Sequence, residues 1–194
     1  TSVAPVLVSR EQGRRKSSFC RALMPDVLAR YYTDNLKLTS QGQAERMLAE
    51  MGMLNMDEFD KYAESKIPLL KNLMQMSVLN IRKAYQQNFG QLPRIASFIG
   101  TSNRFDLLTD PTGSRRFLCI EVKHDIDCTG IEHDRIFAQL KAELIAGRRS
   151  WFTKSEEEEL QRHNEAFYRV SLAEEAVRSL FRAPLPAEKS IDLT

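Results

Sequence analysis

Val3-Ala4-Pro5-Val6-Leu7-Val8-Ser9-Arg10-Glu11-Gln12-Gly13-Arg14-Arg15-Lys16-Ser17-Ser18 is an apolar run that gives way to a basic, polar turn and then to residues suited to open a helix. The apolar part is rich in β-branched residues and bounded by polar ones, the pattern of a buried strand whose entry tolerates proline. A helix is expected from Lys16–Ser17 through Phe19, Cys20 and Leu23, stopped by Pro25. Strand, turn and helix in that order, with Lys-Ser closing the turn, is the layout of a phosphate-binding loop. The strict form of that loop has glycine at the two positions that Arg10 and Arg15 hold here, and Gly13 alone lies inside it. A non-glycine residue in the left-handed conformation costs roughly 1–2 kcal/mol. Arg14 and Arg15 bring guanidinium groups suited to phosphate.

Outward from this stretch, the sequence alternates short strands with helices. Tyr31–Asp34 is expected to enter a second strand, Gln43–Glu50 a short helix, and Gly52–Met56 a buried strand ending on Asp57-Glu58. Ile67–Gln75 has helical periodicity with Leu69, Leu70 and Leu73 on one face. Residues 78–94 are less regular and have room for a hairpin. Ile95–Ile99 reads as a strand ending on Gly100-Thr101, Thr109–Gly113 as a turn, and Phe117–Val122 as a further strand. Helices follow at about Ile131–Ala146, with Phe137, Leu140 and Leu144 stacked, and Ser155–Tyr168; Ala183-Pro184-Leu185-Pro186 reads as a linker, and there is no internal repeat. Such alternation predicts an α/β domain with a largely parallel central sheet, in which ligands bind outside the carboxyl ends of the strands.

The polar cassettes fall at those ends. Asp57-Glu58 offers a metal-holding acid beside a base that activates water. Asn103, in Gly100-Thr101-Ser102-Asn103, is suited to orient water or touch a terminal phosphate. Arg115 and Arg116, in Thr112-Gly113-Ser114-Arg115-Arg116-Phe117, are candidates for a charge-stabilising finger. The intervals between Lys16, Asp57 and Asn103 each leave room for the helix and strand needed to reach the next strand end. Arg82, Lys83 and Tyr85, with Arg94 nearby, interleave basic groups with an aromatic, as contact with single-stranded DNA requires.

The chain has 194 residues and a mass of 22.3 kDa, enough for about one domain with a sizeable core. It begins at Thr1 and has no signal-peptide pattern and no apolar run long enough to span a membrane, so an excised or processed domain is expected. A net charge of +2 neither demands nor excludes nucleic acid, but Arg10, Arg14, Arg15, Lys16 and Arg21 crowd the first loop, far in sequence from Glu156–Glu159. Cys20, Cys119 and Cys128 are an odd count without metal spacing, which fits reduced thiols in a cytoplasmic protein. His124, His133 and His163 lack ligand spacing and receive no role, and Trp151-Phe152 is expected to pack in the core.

Gln12-Gly13…Lys16-Ser17-Ser18-Phe19, Asp57-Glu58-Phe59-Asp60, Phe98–Arg104 and Asp110–Phe117 together resemble the virulence-associated protein E family, and Phe137–Leu140 and Trp151-Phe152…Glu157…Asn164-Glu165 are similar too. That family comprises P-loop ATPase domains related to superfamily 3 helicases of phages, plasmids and integrated elements. The likeness spans about residues 5–170 and implies a three-layer P-loop NTPase (AAA+-like) domain with C-terminal helices: a core over residues 1–150 and a helical extension and linker over 151–194. It implies that Gln12, Gly13, Arg14, Arg15, Lys16, Ser17 and Ser18 form the Walker A nucleotide-binding stretch. Within it Lys16 is the phosphate lysine and Ser17 a magnesium ligand. Asp57, of the Walker B segment, becomes the second, water-mediated metal contact and Glu58 the base. Asn103 becomes the sensor, and Arg115 or Arg116 a finger offered to a neighbouring subunit. The implied cofactors are ATP and Mg²⁺, the partners single-stranded DNA and further copies in a ring, and the activity that of an ATP-dependent helicase or motor in mobile-element DNA replication. The family pattern has glycine where this chain has Arg15. Arg10 and Arg15 in the two glycine positions motivate an alternative, a degenerate P-loop module that binds DNA or partner proteins without hydrolysis; a small-molecule P-loop kinase is a third reading, without a recognisable lid segment.

Overall fold

The computed structural model describes residues 3–38, 40–82, 89–109, 115–170, 176–177 and 180–181. The expected turn Thr109–Gly113, but for Thr109, and the linker at 183–186 lie outside them. Seven strands are described: β1 (Ala4–Val8), β2 (Tyr32–Thr33), β3 (Met53–Met56), β4 (Val78–Arg82), β5 (Phe89–Pro93), β6 (Ser97–Ser102) and β7 (Phe117–Glu121). The α-helices are α1 (Lys16–Ala22), α2 (Gln41–Glu50), α3 (Ile67–Leu73), α4 (His133–Ile145) and α5 (Lys154–His163). Five strands form one sheet in the order β2-β3-β6-β1-β7, with every pairing parallel. β4 and β5 pair separately as an antiparallel hairpin.

Period-two alternation gives the sheet two cores, one on each face. Val6 and Val8 of β1, Leu54 and Met56 of β3, Phe98 of β6 and Phe117 and Cys119 of β7 join Leu48 of α2 and Leu70 and Leu73 of α3 in the larger core. Leu7 and Ile99 point the other way, onto Cys20 of α1, with Phe19, Leu23 and Val122 around them. The result is the expected three-layer α/β arrangement, with every strand of the sheet running the same way. Its loops after β1, β3 and β6 therefore emerge along one edge.

β6 begins two residues later than the sequence suggests and runs through Gly100, Thr101 and Ser102. The reason is local. The Ile95 and Ala96 amides both donate to the Leu48 carbonyl at the end of α2, at 3.1 Å, so these residues are held by the helix rather than by the ladder. At the other end, Gly100 lets three strands close up: a Cβ there would lie 3.4 Å from Met56 Cε, Met56 O and Val6 Cγ2.

Trp151 and Phe152, expected in the core, are exposed instead (Trp151 60%). The α4–α5 connection is organised by polar contacts. Arg149 pairs with Glu156 at 2.5 Å, and Thr153 and Glu156 form a capping box that opens α5. This leaves the tryptophan outside. The stacked Phe137, Leu140 and Leu144 of α4 are likewise exposed. α5 and the 3-10 turn after it dock on the outer edge of β7. Asn164, fully buried, donates to Phe117 O at 2.7 Å and accepts from the Cys119 amide at 3.3 Å, while the ring of His163 donates Nε2–H to Cys119 O at 2.7 Å. His133 similarly donates to Ala22 O at the end of α1, at 2.8 Å. Among the described residues no helix is long and apolar enough to cross a membrane.

Candidate functional site

The turn from β1 into α1 carries the first residues of the site. Gly13 has φ +83° and Arg15 φ +60°, so the loop makes its left-handed bends at one glycine and one arginine. Arg15 thus adopts the backbone that glycine would take in the strict motif, and its side chain stays exposed. The Arg14 guanidinium pairs with Glu11 and, at 2.9 Å, with Asp125, both exposed carboxylates. The Arg10 guanidinium lies over the Phe105 ring, 5.3 Å from its centroid.

The sheet order explains how the scattered cassettes meet. β6 is inserted between β1 and β3, so the residues that end β6 stand between the β1–α1 turn and the acidic pair. Lys16, 7% exposed, donates to Ser9 Oγ at 2.7 Å and to Asn103 Oδ1 at 2.9 Å. Burial pushes the Lys16 ammonium below the ordinary lysine value, against the opposing pull of Asp57 and Asp60. Ser17 Oγ donates to Asp57 Oδ1 at 2.6 Å, and Thr101 Oγ1 donates to the same oxygen at 2.6 Å. Thr101 Oγ1 also accepts from the Glu58 amide at 3.2 Å. Glu58 follows at φ +51°, a second non-glycine residue in left-handed backbone, and its carboxylate pairs with exposed Lys61 at 2.6 Å. Beyond it, Asp60 Oδ1 accepts from the Asn103 amide at 3.3 Å and lies 2.9 Å from Ser102 Oγ.

Gln12 through Ser18, Glu58, Thr101 and Asn103 line one cleft of about 360 Å³, in the size range of small-molecule sites. Asp57 accepts hydrogen bonds from two of its lining residues, Ser17 and Thr101. A neighbouring cleft of about 350 Å³, bounded by Arg10, Glu11, Phe105, Glu121 and Lys123, shares Arg14 with it and carries both signs of charge. The Ser17 hydroxyl and Asp57 carboxylate make a pair of hard oxygen donors, the chemistry that a magnesium ion selects.

Ser9, Thr101 and Asp60 are the site residues that sequence reasoning did not single out. Thr101 sat inside a quoted cassette and Asp60 three residues beyond Asp57, but only the strand order reveals what they touch. Other expected residues fall elsewhere. Arg115 and Arg116 precede β7, whose register with β1 (Ala4 opposite Phe117) puts them at the amino edge of the sheet, away from the cleft. Arg115 lies 3.5 Å from Glu157 of α5, and Arg116 lies against Gln75 beyond α3. Arg82 ends β4 on the hairpin; Lys83 and Tyr85 lie outside the described residues.

Residues 1–169 match the virulence-associated protein E-like domain. No curated protein matches. Among solved structures, one apo structure of the NrS-1 C-terminal region is 18% identical, with 85% of this chain and 34% of that one covered at a TM-score of 0.46. A second apo structure of that region is 16% identical over 93% of this chain and 43% of the other, at 0.48. This chain therefore spans less than half the length of those neighbours.

Proposed function

The chain belongs to the virulence-associated protein E-like domain family, and we propose that it is the ATPase motor domain of a mobile-element replication protein, hydrolysing ATP with Mg²⁺ and acting on DNA. The observation that carries this reading is the convergence of three strand ends on one cleft. Lys16 reaches Asn103 at 2.9 Å, and Ser17 reaches Asp57 at 2.6 Å.

In this reading the triphosphate lies along Gln12–Ser18. Lys16 exchanges part of its bonding to Ser9 and Asn103 for phosphate oxygens, whose charge compensates the burial of the ammonium. Ser17, and Asp57 through water, would hold a magnesium ion, which would supply positive charge against the phosphate oxygens. Glu58 accepts a proton from the attacking water once its carboxylate leaves Lys61, and Asn103 orients that water or the terminal phosphate. Arg115 or Arg116, remote from the chain's own cleft, serves a neighbouring copy's nucleotide in a ring. Arg82, Lys83 and Tyr85 contact single-stranded DNA.

The test is steady-state ATP hydrolysis with and without single-stranded DNA, for the wild type, Lys16→Ala and Glu58→Gln. Turnover should fall by about 100-fold or more in both variants. Equal turnover in all three sinks the assignment. The alternative reading, a non-hydrolysing binding module, draws on Arg15 in a glycine position and on the Glu11 and Asp125 carboxylates that occupy Arg14. Calorimetric titration with ATP·Mg²⁺ separates the two: absence of binding at millimolar nucleotide favours the module.

A further inference from the structure

Thr101 is 3% exposed at the end of β6, and its one hydroxyl serves both residues of the Asp57–Glu58 pair. A hydroxyl has one proton to give and lone pairs to receive. Here the proton goes to Asp57 Oδ1 at 2.6 Å and a lone pair takes the Glu58 amide at 3.2 Å. Glu58 stands at φ +51°, where a non-glycine residue stays only when its surroundings hold it. The bond from its amide to Thr101 is part of that hold, and Asp60, bonded to the Asn103 amide, secures the turn at its other side.

We propose that Thr101 is a positioning residue for the hydrolytic base: by fixing the Asp57–Glu58 backbone against the end of β6, its hydroxyl sets where the Glu58 carboxylate stands relative to a phosphate held on Lys16. This rests on the hydrolytic reading above. The Thr101 hydroxyl bonds to the Asp57–Glu58 turn, whereas Lys16 is held by Ser9 and Asn103, so loss of that hydroxyl affects turnover far more than nucleotide affinity. Misplacing a reacting group by about 1 Å costs on the order of 100-fold in rate.

The experiment compares wild type, Thr101→Val (close in shape, without the hydroxyl), Thr101→Ala and Thr101→Ser. Three quantities are read: kcat with Mg²⁺ and single-stranded DNA, ATP affinity by calorimetry, and hydrogen exchange of the Glu58 amide by NMR. Thr101→Val should lower kcat by about 10- to 100-fold, leave ATP affinity within about 3-fold, and speed Glu58 exchange by about 10-fold or more. Thr101→Ser should recover all three to within about 3-fold of wild type. If the valine variant does not fold, the alanine variant carries the same expectations. A hydroxyl-free variant with wild-type kcat, or with a Glu58 amide as protected as before, overturns the proposal. A wild type that binds ATP without turning it over defeats the hydrolytic reading instead, and with it any catalytic part for Thr101.

Discussion

The Lys16 ammonium donates to the Asn103 amide oxygen at 2.9 Å, joining the first helix to the end of β6 across 87 residues of sequence. The same ammonium bonds Ser9 at 2.7 Å, so two of its three N–H donors are engaged within the protein. A double-mutant cycle on Lys16→Met and Asn103→Ala, followed by urea unfolding, should give a coupling of about 0.5–3 kcal/mol. Strict additivity would mean that the contact contributes nothing to the free protein.

Arg15 is held at φ +60°. Arg15→Val should destabilise the fold by about 1–2 kcal/mol, because a β-branched residue is poorly accommodated in left-handed backbone. Arg15→Gly should be at least as stable as wild type, strain relief of about 1 kcal/mol offsetting the greater freedom of the unfolded chain. Thermal or urea denaturation ranks the three, and a valine variant matching the glycine variant contradicts the assignment.

Asn164 serves two backbone groups of β7 from a fully buried position. Asn164→Leu leaves Phe117 O and the Cys119 amide without that partner, at a cost of about 3 kcal/mol. Urea unfolding should show the loss, and hydrogen exchange should localise it to β7 and α5.

Glu156 is pushed down to about 2, chiefly by its bonds with Arg149 and then by those from Thr153. A carboxylate whose folded value is depressed adds stability above its unfolded value, near 4.5, and loses it as pH falls through the folded one. The difference in melting temperature between wild type and Glu156→Gln should therefore be largest near neutrality and shrink steadily between about pH 5 and pH 2. A difference that is flat over this range counts against the bridge.

Burial raises the Cys20 and Cys119 thiols to about 12, and both are fully buried, whereas Cys128 is partly exposed. Iodoacetamide at pH 8 should alkylate Cys128 alone in the folded protein and all three cysteines in urea, as mass spectrometry would record.

Much of the fold is legible because buried parallel strands are continuous apolar runs that end abruptly in polar residues. Val8, Met56 and the Ile99 region mark such ends, and the residues that follow them form the cleft. What the chain does not spell out is which strand lies beside which. Nothing local in Gly100-Thr101-Ser102 says that β6 separates β1 from β3, yet that placement creates the Lys16–Asn103 and Thr101–Asp57 bonds. The misplaced start of β6 has the same origin, since Ile95 is as apolar as a strand residue but its amide is taken by Leu48 O of α2. Trp151 shows the limit from the other side: apolarity alone does not reveal that a salt bridge and a capping box set the course of its loop.

The asparagine and histidine at the end of α5 also bear on the ring of copies proposed above. A bare edge strand invites another strand to add to it, in register or out, and such pairing is indifferent to side-chain identity. On the β7 side, Phe117 O and both backbone groups of Cys119 are already occupied. Contact between copies on that flank must then be written in side chains, where a single substitution or a change of salt alters it, and growth into an endless ribbon is blocked there by two side chains standing in for a sixth strand.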